Sequence, residues 1–401
     1  MRKILIVSQS HLCRNPRVLK EALALAGNNY AVTILTSIYS EQLWHEDMEL
    51  LRGTNIDYQF YSDLRQKSFQ SFKLRLIKKI YTDLNSILRI QSRFSLGYGA
   101  GRLMQLCIRQ GADVLIMHQE LAMVTGCILL KKKYRVFFDI EDWYSEDLLP
   151  GNRKKRPLKL LKKSEKFALL HSKCCYTTSN AMADGIANAY GLPKAPSVIY
   201  NTFEEIQKAA EKKRGESPLK LYWFSQTIGP GRGIEQFIEA MGKSSYQWDL
   251  TLRGNVSEDY KLLLMNQMNP KDQLCFRSMI RNDELLADMQ NFDIGLALEP
   301  ESPPNKNLTI SNKFFHYLAG GLSMIASDTL GHLEIGTRHP EIIFIYKNND
   351  IANLTGLLDE IGRKNKGRRM KRPDVIISLF KSAYSWTVES QKLLSLINKA
   401  L

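Results

Sequence analysis

Three short stretches of the 401-residue chain combine residue types suited to holding an anion. In 223-WFSQTIGPGRGIEQFIEAM-241, an apolar run passes Ser225 and Gln226, turns through Gly229-Pro230-Gly231 and reaches Arg232 at a helix start. Glycines let the backbone approach a ligand closely, and arginine offers a forked donor to phosphate oxygens. Arg253-Gly254-Asn255 closes the next apolar run, and Ser311-Asn312-Lys313 opens a later helical one. A lysine at a helix start opposes the helix dipole, unless an anion sits there and shares the N–H groups. Arg232, Lys313 and a helix N-terminus together would hold a diphosphate.

The first half offers different chemistry. Arg14 and Arg17 follow the first apolar run, in reach of a phosphate at its end. The stretch 139-DIEDWYSED-147 has five acids in nine residues, with Asp139, Glu141 and Asp142 nearest the preceding run. Such density is expensive unless exposed or functional, and it is expected to form a catalytic or acceptor loop. His118, at another strand end, is a candidate for the same place. No Gly-x-Gly-x-x-Gly is present here, so a nicotinamide cofactor is poorly supported. The six cysteines show no CxxC and no histidine at ligand spacing, which points to a reducing cytoplasm and no structural metal.

The elements that must carry these residues alternate. KILIVSQ reads as a strand, PRVLKEALALAG as a helix and YAVTILTSI as a strand, the order of a parallel sheet with crossover helices. DVLIMHQ, RVFFDIEDW, KCCYTTSN and PSVIYNTF continue the first series. LKLYWFSQ, WDLTLRGN, LCFRSMI, DIGLALE, LSMIASD and IIFIYK form a second. The expectation is α/β: two Rossmann-like domains facing each other across a cleft, over 1–203 and 219–375. The charged stretch 204–218 is the expected linker, and 376–401 a single helix crossing back onto the first domain. Ligands of such sheets bind beyond the carboxyl ends of the strands.

The net charge is +15, concentrated in two windows: ten Lys/Arg against one acid over 65–109, and nine against one over 151–173. This implies a polyanionic partner: nucleic acid, an anionic membrane surface or a phosphorylated substrate. Nucleic acid ranks last, because no aromatic-interleaved platform accompanies the charge. No apolar run reaches the ~18 residues of a membrane span.

The segments NPRVLKEALAL, YAVTILT, FDIEDWYSED, VIYNTF, FSQTIGPGRGIEQFIEAM and SNKFFHYLAGGLSMIAS, in that order, resemble the GT-B-fold retaining glycosyltransferases of cell-envelope glycan synthesis. The last is similar to the family's Asn-Lys-x-x-Glu-Tyr-x-Ala-x-Gly-x-Pro-Val-Ile-Ala-Ser segment. The chain departs from it with His316 at the ribose-binding glutamate, Leu308 at that residue's partner and Ser323 at the proline.

The resemblance implies transfer of a sugar from a nucleoside diphosphate donor, UDP by family frequency, to a lipid-linked or saccharide acceptor, with retention. Arg232 and Lys313 would stabilise the leaving diphosphate without a metal or other cofactor. Ser278, Met279 and Ile280 would meet the base and His316 the ribose, while Glu141 and His118 would position acceptor or sugar. The helix expected over 72–94 would then present Arg75, Lys78 and Lys79, with Lys154, Lys155 and Arg156, to the inner face of the cytoplasmic membrane. A non-catalytic partner subunit and a sugar-nucleotide epimerase on the same fold are the alternatives.

Overall fold

The computed structural model describes residues 1–204, 218–366 and 373–401. Most of the expected linker lies outside them. The chain divides into two units, Met1–Ile199 with Ser390–Leu401, and Tyr200–Glu389.

The first unit holds a seven-stranded sheet. Its strands are β1 (Lys3–Val7), β2 (Ala31–Ile38), β3 (Asp57–Asp63), β4 (Val114–His118), β5 (Val136–Ile140), β6 (Cys175–Thr177) and β7 (Ser197–Val198). They lie in the order β3-β2-β1-β4-β5-β6-β7, every pair parallel. Strands β4 and β5 are buried at every position, which is why they read as unbroken apolar runs rather than alternations. Strand β3, DYQFYSD, sits at the edge and is only partly covered, so its sequence carries no comparable run.

The second unit repeats the plan with β8 (Leu219–Thr227), β9 (Trp248–Asn255), β10 (Gln273–Arg277), β11 (Ile294–Ala297), β12 (Ser323–Ser327) and β13 (Ile343–Tyr346). Their order is β10-β9-β8-β11-β12-β13, again parallel. Trp223, Trp248, Phe237, Leu252, Leu296 and Ile325 fill its core. In each sheet the order reverses beside the first strand, between β1 and β4 and between β8 and β11. In such sheets the reversal of strand order leaves a crevice beyond the carboxyl ends, the usual place for a ligand.

The C-terminal segment differs from the expected single helix. It comprises helix Pro373–Leu379, a π turn over Phe380–Tyr384, extended Ser385 and helix Trp386–Ala400. Its last residues belong to the first unit, where Tyr30 Oη donates to Asn398 Oδ1.

Candidate functional site

In the second unit, β8 runs into a turn that carries Arg232 to the start of helix Ile234–Lys243. Arg232 is exposed, and its Nη1 lies 3.4 Å from Ser225 Oγ. Gly233 caps the helix with φ 75°, and a Cβ there would meet Leu298 Cβ at 3.1 Å. The turn after β8 therefore packs on the turn after β11, and a glycine is needed on both counts. The next residue, Glu299, accepts a hydrogen bond from Lys313 Nζ at 2.8 Å. The turn that carries Arg232 thus meets the turn that carries Glu299 and its partner Lys313 at one switch point. Burial alone would raise the Glu299 carboxyl, but the Lys313 charge pulls it down to about 2.

Lys313 stands in the first turn of helix Asn312–Ala319. Ser311, its N-cap residue, makes no side-chain cap bond, and its buried Oγ has no hydrogen-bond partner among the described residues. Asn312 is exposed. One turn on, His316 Nδ1 donates to the Asn312 carbonyl at 2.7 Å. Its ring lies 3.8 Å from that of Phe203 and 5.3 Å from that of Phe224.

Arg253 is not available to a ligand as expected. It is 7 % exposed, and its Nε donates to Tyr222 Oη and Asp288 Oδ2, both at 2.9 Å. Its Nη1 donates to the Ser278 carbonyl at 2.6 Å. Arg253 therefore anchors the Ser278–Ile280 loop instead of reaching outward. Met279 in that loop is exposed and accepts from Asn255 Nδ2 at 3.5 Å. Gly254 permits the close approach of β8: a Cβ there would fall 2.3 Å from the Ser225 carbonyl oxygen. Gln226 and Gly231 are exposed on the same edge.

In the first unit, the carboxyl ends of β4 and β5 and helix Pro16–Ala26 enclose a charged cluster. Arg17, expected to hold a phosphate, is buried instead. It donates to Asp139 through Nε (2.5 Å) and Nη2 (3.0 Å), and to the Ile199 carbonyl through Nη1 (3.0 Å). Asp139 is buried with it and cannot meet an acceptor. His118 is also sealed from water, so direct contact with a substrate is ruled out in this conformation. Its Nδ1 donates to Glu141 Oε1 at 2.8 Å, and Nε2 lies 3.1 Å from Glu21 Oε2. Burial opposes charge on His118, but Glu21 and then Asp139 outweigh it and raise the imidazole to about 10. Burial would likewise raise Glu21; His118 and then Arg17 bring it down to about 2.

Glu21, His118 and Asp139 offer ligand-type atoms all within 4.8 Å of one another. Arg17 and protonated His118 already supply the positive charge these carboxylates need. Glu141 is the member that reaches solvent, at 16 % exposure, and Asn15 Nδ2 donates to both its oxygens at 3.2 and 3.3 Å. Asp142 is half-buried beside it, and Arg14 is exposed at the end of a short 3₁₀ turn.

Sequence reasoning missed Glu21, Asn15 and Glu299. The first had a usable signal: Arg17 and Glu21 are spaced i,i+4 on the side of the helix that also carries Val18, Ala22 and Leu25. Asn15 also had one, as a helix-capping type directly before Pro16.

The basic helix spans Phe69–Leu88, closed at its start by a reciprocal Ser68–Ser71 capping box. Ile77, Tyr81 and Leu84 are half-buried, whereas Ile80 and Leu88 face out with Phe69, Phe72, Leu76 and Ile87. Phe69 is 84 % exposed. Arg75 and Lys79 flank this outer face, while Lys78 lies 4.4 Å over the Tyr98 ring. Lys154 and Lys155 are exposed, but Arg156 turns inward to pair with Glu120. Among the described residues no helix is long and apolar enough to cross a membrane.

No protein-family model matches the chain, and no curated protein matches it significantly. Solved structures do. A glycosyltransferase from Rickettsia africae aligns with TM-score 0.67 at 13 % identity, over 100 % of this chain and 98 % of its own. A sucrose-phosphate synthase from Thermosynechococcus elongatus gives 0.66 at 13 %, over 100 % and 99 %. HepE of Anabaena, solved with UDP and glucose, gives 0.63 at 14 %, over all of both chains. The chain has the GT-B fold. Within that GT-B chain, the two sheets are its two Rossmann-like units, and the basic pair Arg232 and Lys313 belongs to the second.

Proposed function

We propose that the protein is a glycosyltransferase that takes a sugar from a nucleoside diphosphate donor, UDP-linked, and passes it to a lipid-linked or saccharide acceptor. The observation that carries this is the convergence of Arg232 and Lys313 at the β8/β11 switch point, through the Gly233–Leu298 contact and the Glu299–Lys313 pair. Two helix N-termini, at Ile234 and Asn312, open at the same edge. As the glycosidic bond breaks, negative charge grows on the diphosphate. Fixed cations and N–H dipoles aimed there stabilise the transition state more than the ground state. The same charges do the work a metal would otherwise do, so the reading is metal-independent. Its stereochemistry is retention, with the leaving phosphate itself taking the acceptor proton.

The acceptor is assigned to the first unit. Glu141 is held by Asn15 and His118 with its outer lone pairs toward solvent. It can accept a hydrogen bond from an acceptor hydroxyl, and His118 acts as a positioning residue behind it. Ser278–Ile280 is assigned to the base and His316 to the ribose.

The outer face of helix Phe69–Leu88, with Arg75, Lys79, Lys154 and Lys155, is assigned to an anionic membrane surface at the cytoplasmic side. Apolar residues would enter the interface while the basic ones pair with lipid phosphates. An envelope polysaccharide or glycolipid precursor would be met there.

The test is transfer of radiolabelled sugar from a panel of nucleoside diphosphate sugars into the lipid and polysaccharide fractions of bacterial membranes. Label from one donor, absent with Lys313→Ala, supports the reading. Nucleotide release without any labelled product favours the epimerase alternative, and neither outcome favours the non-catalytic subunit.

A further inference from the structure

We infer that Glu299 is an internal anion that holds Lys313 while the site is empty, so that a diphosphate binds by taking the lysine from it. The inference rests on the assignment of Arg232 and Lys313 to the donor diphosphate. Its own evidence is the geometry of the pair. Glu299 and Lys313 are 14 % and 15 % exposed, at 2.8 Å. The Lys313 ammonium also lies 5.5 Å over the Trp223 ring.

The Glu299 backbone is pinned: its N–H donates to Ser327 Oγ at 3.2 Å, and its carbonyl accepts from Asn348 Nδ2 at 3.3 Å. The Glu299 main chain is therefore fixed beside Lys313, and its carboxylate stays within a side chain's reach of the ammonium when another anion arrives. Arg232, by contrast, is exposed and has only the long contact to Ser225 among the described residues. An entering diphosphate meets Arg232 first, and then competes with Glu299 for Lys313. The competition lowers affinity for the free diphosphate and returns the lysine to Glu299 when the product leaves. Two anions sharing one ammonium repel each other, which weakens whichever is mobile.

The experiment is calorimetric titration of the full chain with inorganic pyrophosphate, for wild type and Glu299→Gln. The expected result is about tenfold tighter binding in Glu299→Gln, with Glu299→Asp close to wild type. In a Lys313→Ala background the Glu299→Gln change is expected to have no such effect, as a double-mutant cycle requires. Circular dichroism checks the fold, and Glu299→Ser replaces Glu299→Gln if the latter does not fold. Equal or weaker pyrophosphate binding in the variant overturns the inference, because Glu299 then only orients Lys313.

A parallel titration with UDP, GDP, CDP and dTDP separates the two levels. If none binds wild type but Glu299→Gln still tightens pyrophosphate, the donor assignment fails and the anion exchange stands. If one binds and the variant tightens nothing, the reverse holds.

Discussion

Arg17 grips both carboxylate oxygens of Asp139, at 2.5 and 3.0 Å, although 122 residues separate them and neither side chain reaches water. The pair ties helix Pro16–Ala26 to the carboxyl end of β5. Removing one partner leaves a buried charge uncompensated, which costs about 3–5 kcal/mol. Arg17→Ala is therefore expected to destabilise the first unit by about that amount, read by urea denaturation. Arg14→Ala, at an exposed site, is expected to stay within about 0.5 kcal/mol of wild type.

His118 predicts a pH dependence with a definite sign. Its folded value, about 10, lies above the ordinary 6.5. The stability it contributes is complete below 6.5 and is lost as pH rises toward 10. At this residue the native state then holds one more proton than the unfolded chain, so its contribution falls with pH by about 1.4 kcal/mol per unit. Over pH 7–8.5 the buried Asp139 carboxyl, raised by burial, and the buried thiols, raised from the ordinary 9.0, add to the same trend, so the His118 share is read as a difference between variants. Denaturation at several pH values is expected to show a slope steeper by about this amount in wild type than in His118→Gln.

Arg232 and Lys313 are expected to fail differently when removed. Arg232→Ala takes away an exposed side chain, so binding of the nucleoside diphosphate should fall without a change in melting temperature. Lys313→Ala also leaves the Glu299 carboxylate without its partner, 14 % exposed, and should lower stability as well as abolish binding. Calorimetry and thermal melts of the two variants check the contrast.

The outer face of helix Phe69–Leu88 should drive flotation with anionic vesicles. Each basic residue near such a surface contributes about 1 kcal/mol, so Arg75→Ala with Lys79→Ala is expected to weaken binding about 30-fold. Phe69→Glu with Phe72→Glu should abolish it at any salt concentration, since both rings are exposed and supply apolar rather than electrostatic attraction. Undiminished flotation of the aromatic double variant would contradict the docking assignment.

The parallel strands were legible because strands covered on both faces must be apolar throughout, as VLIMH and VFFDI are. The Gly-Pro-Gly turn with Arg232 and the Ser-Asn-Lys helix start were legible because each needs residue types that are uncommon elsewhere. What escaped was partnership across the chain. Arg17, Asp139 and Arg253 have the types of surface ligands, and only the tertiary fold shows each turned onto a distant charge. Glu299 likewise reads as one acid after a strand until Lys313, fourteen residues on, is placed beside it. The C-terminal run looked like one helix because its apolar spacing continues through Ser385, whereas the π turn and that extended residue break it.

The central claim is that Arg232 and Lys313 form a nucleoside diphosphate site. A thermal-shift panel of UDP, GDP, CDP and dTDP on the wild type and Lys313→Ala tests it most directly. At ~100 times its dissociation constant, a ligand adds about 2.7 kcal/mol to the unit that binds it. The predicted result is a rise in melting temperature with UDP in the wild type and none in Lys313→Ala. No shift with any of the four nucleotides, or a shift that survives the loss of Lys313, would contradict it.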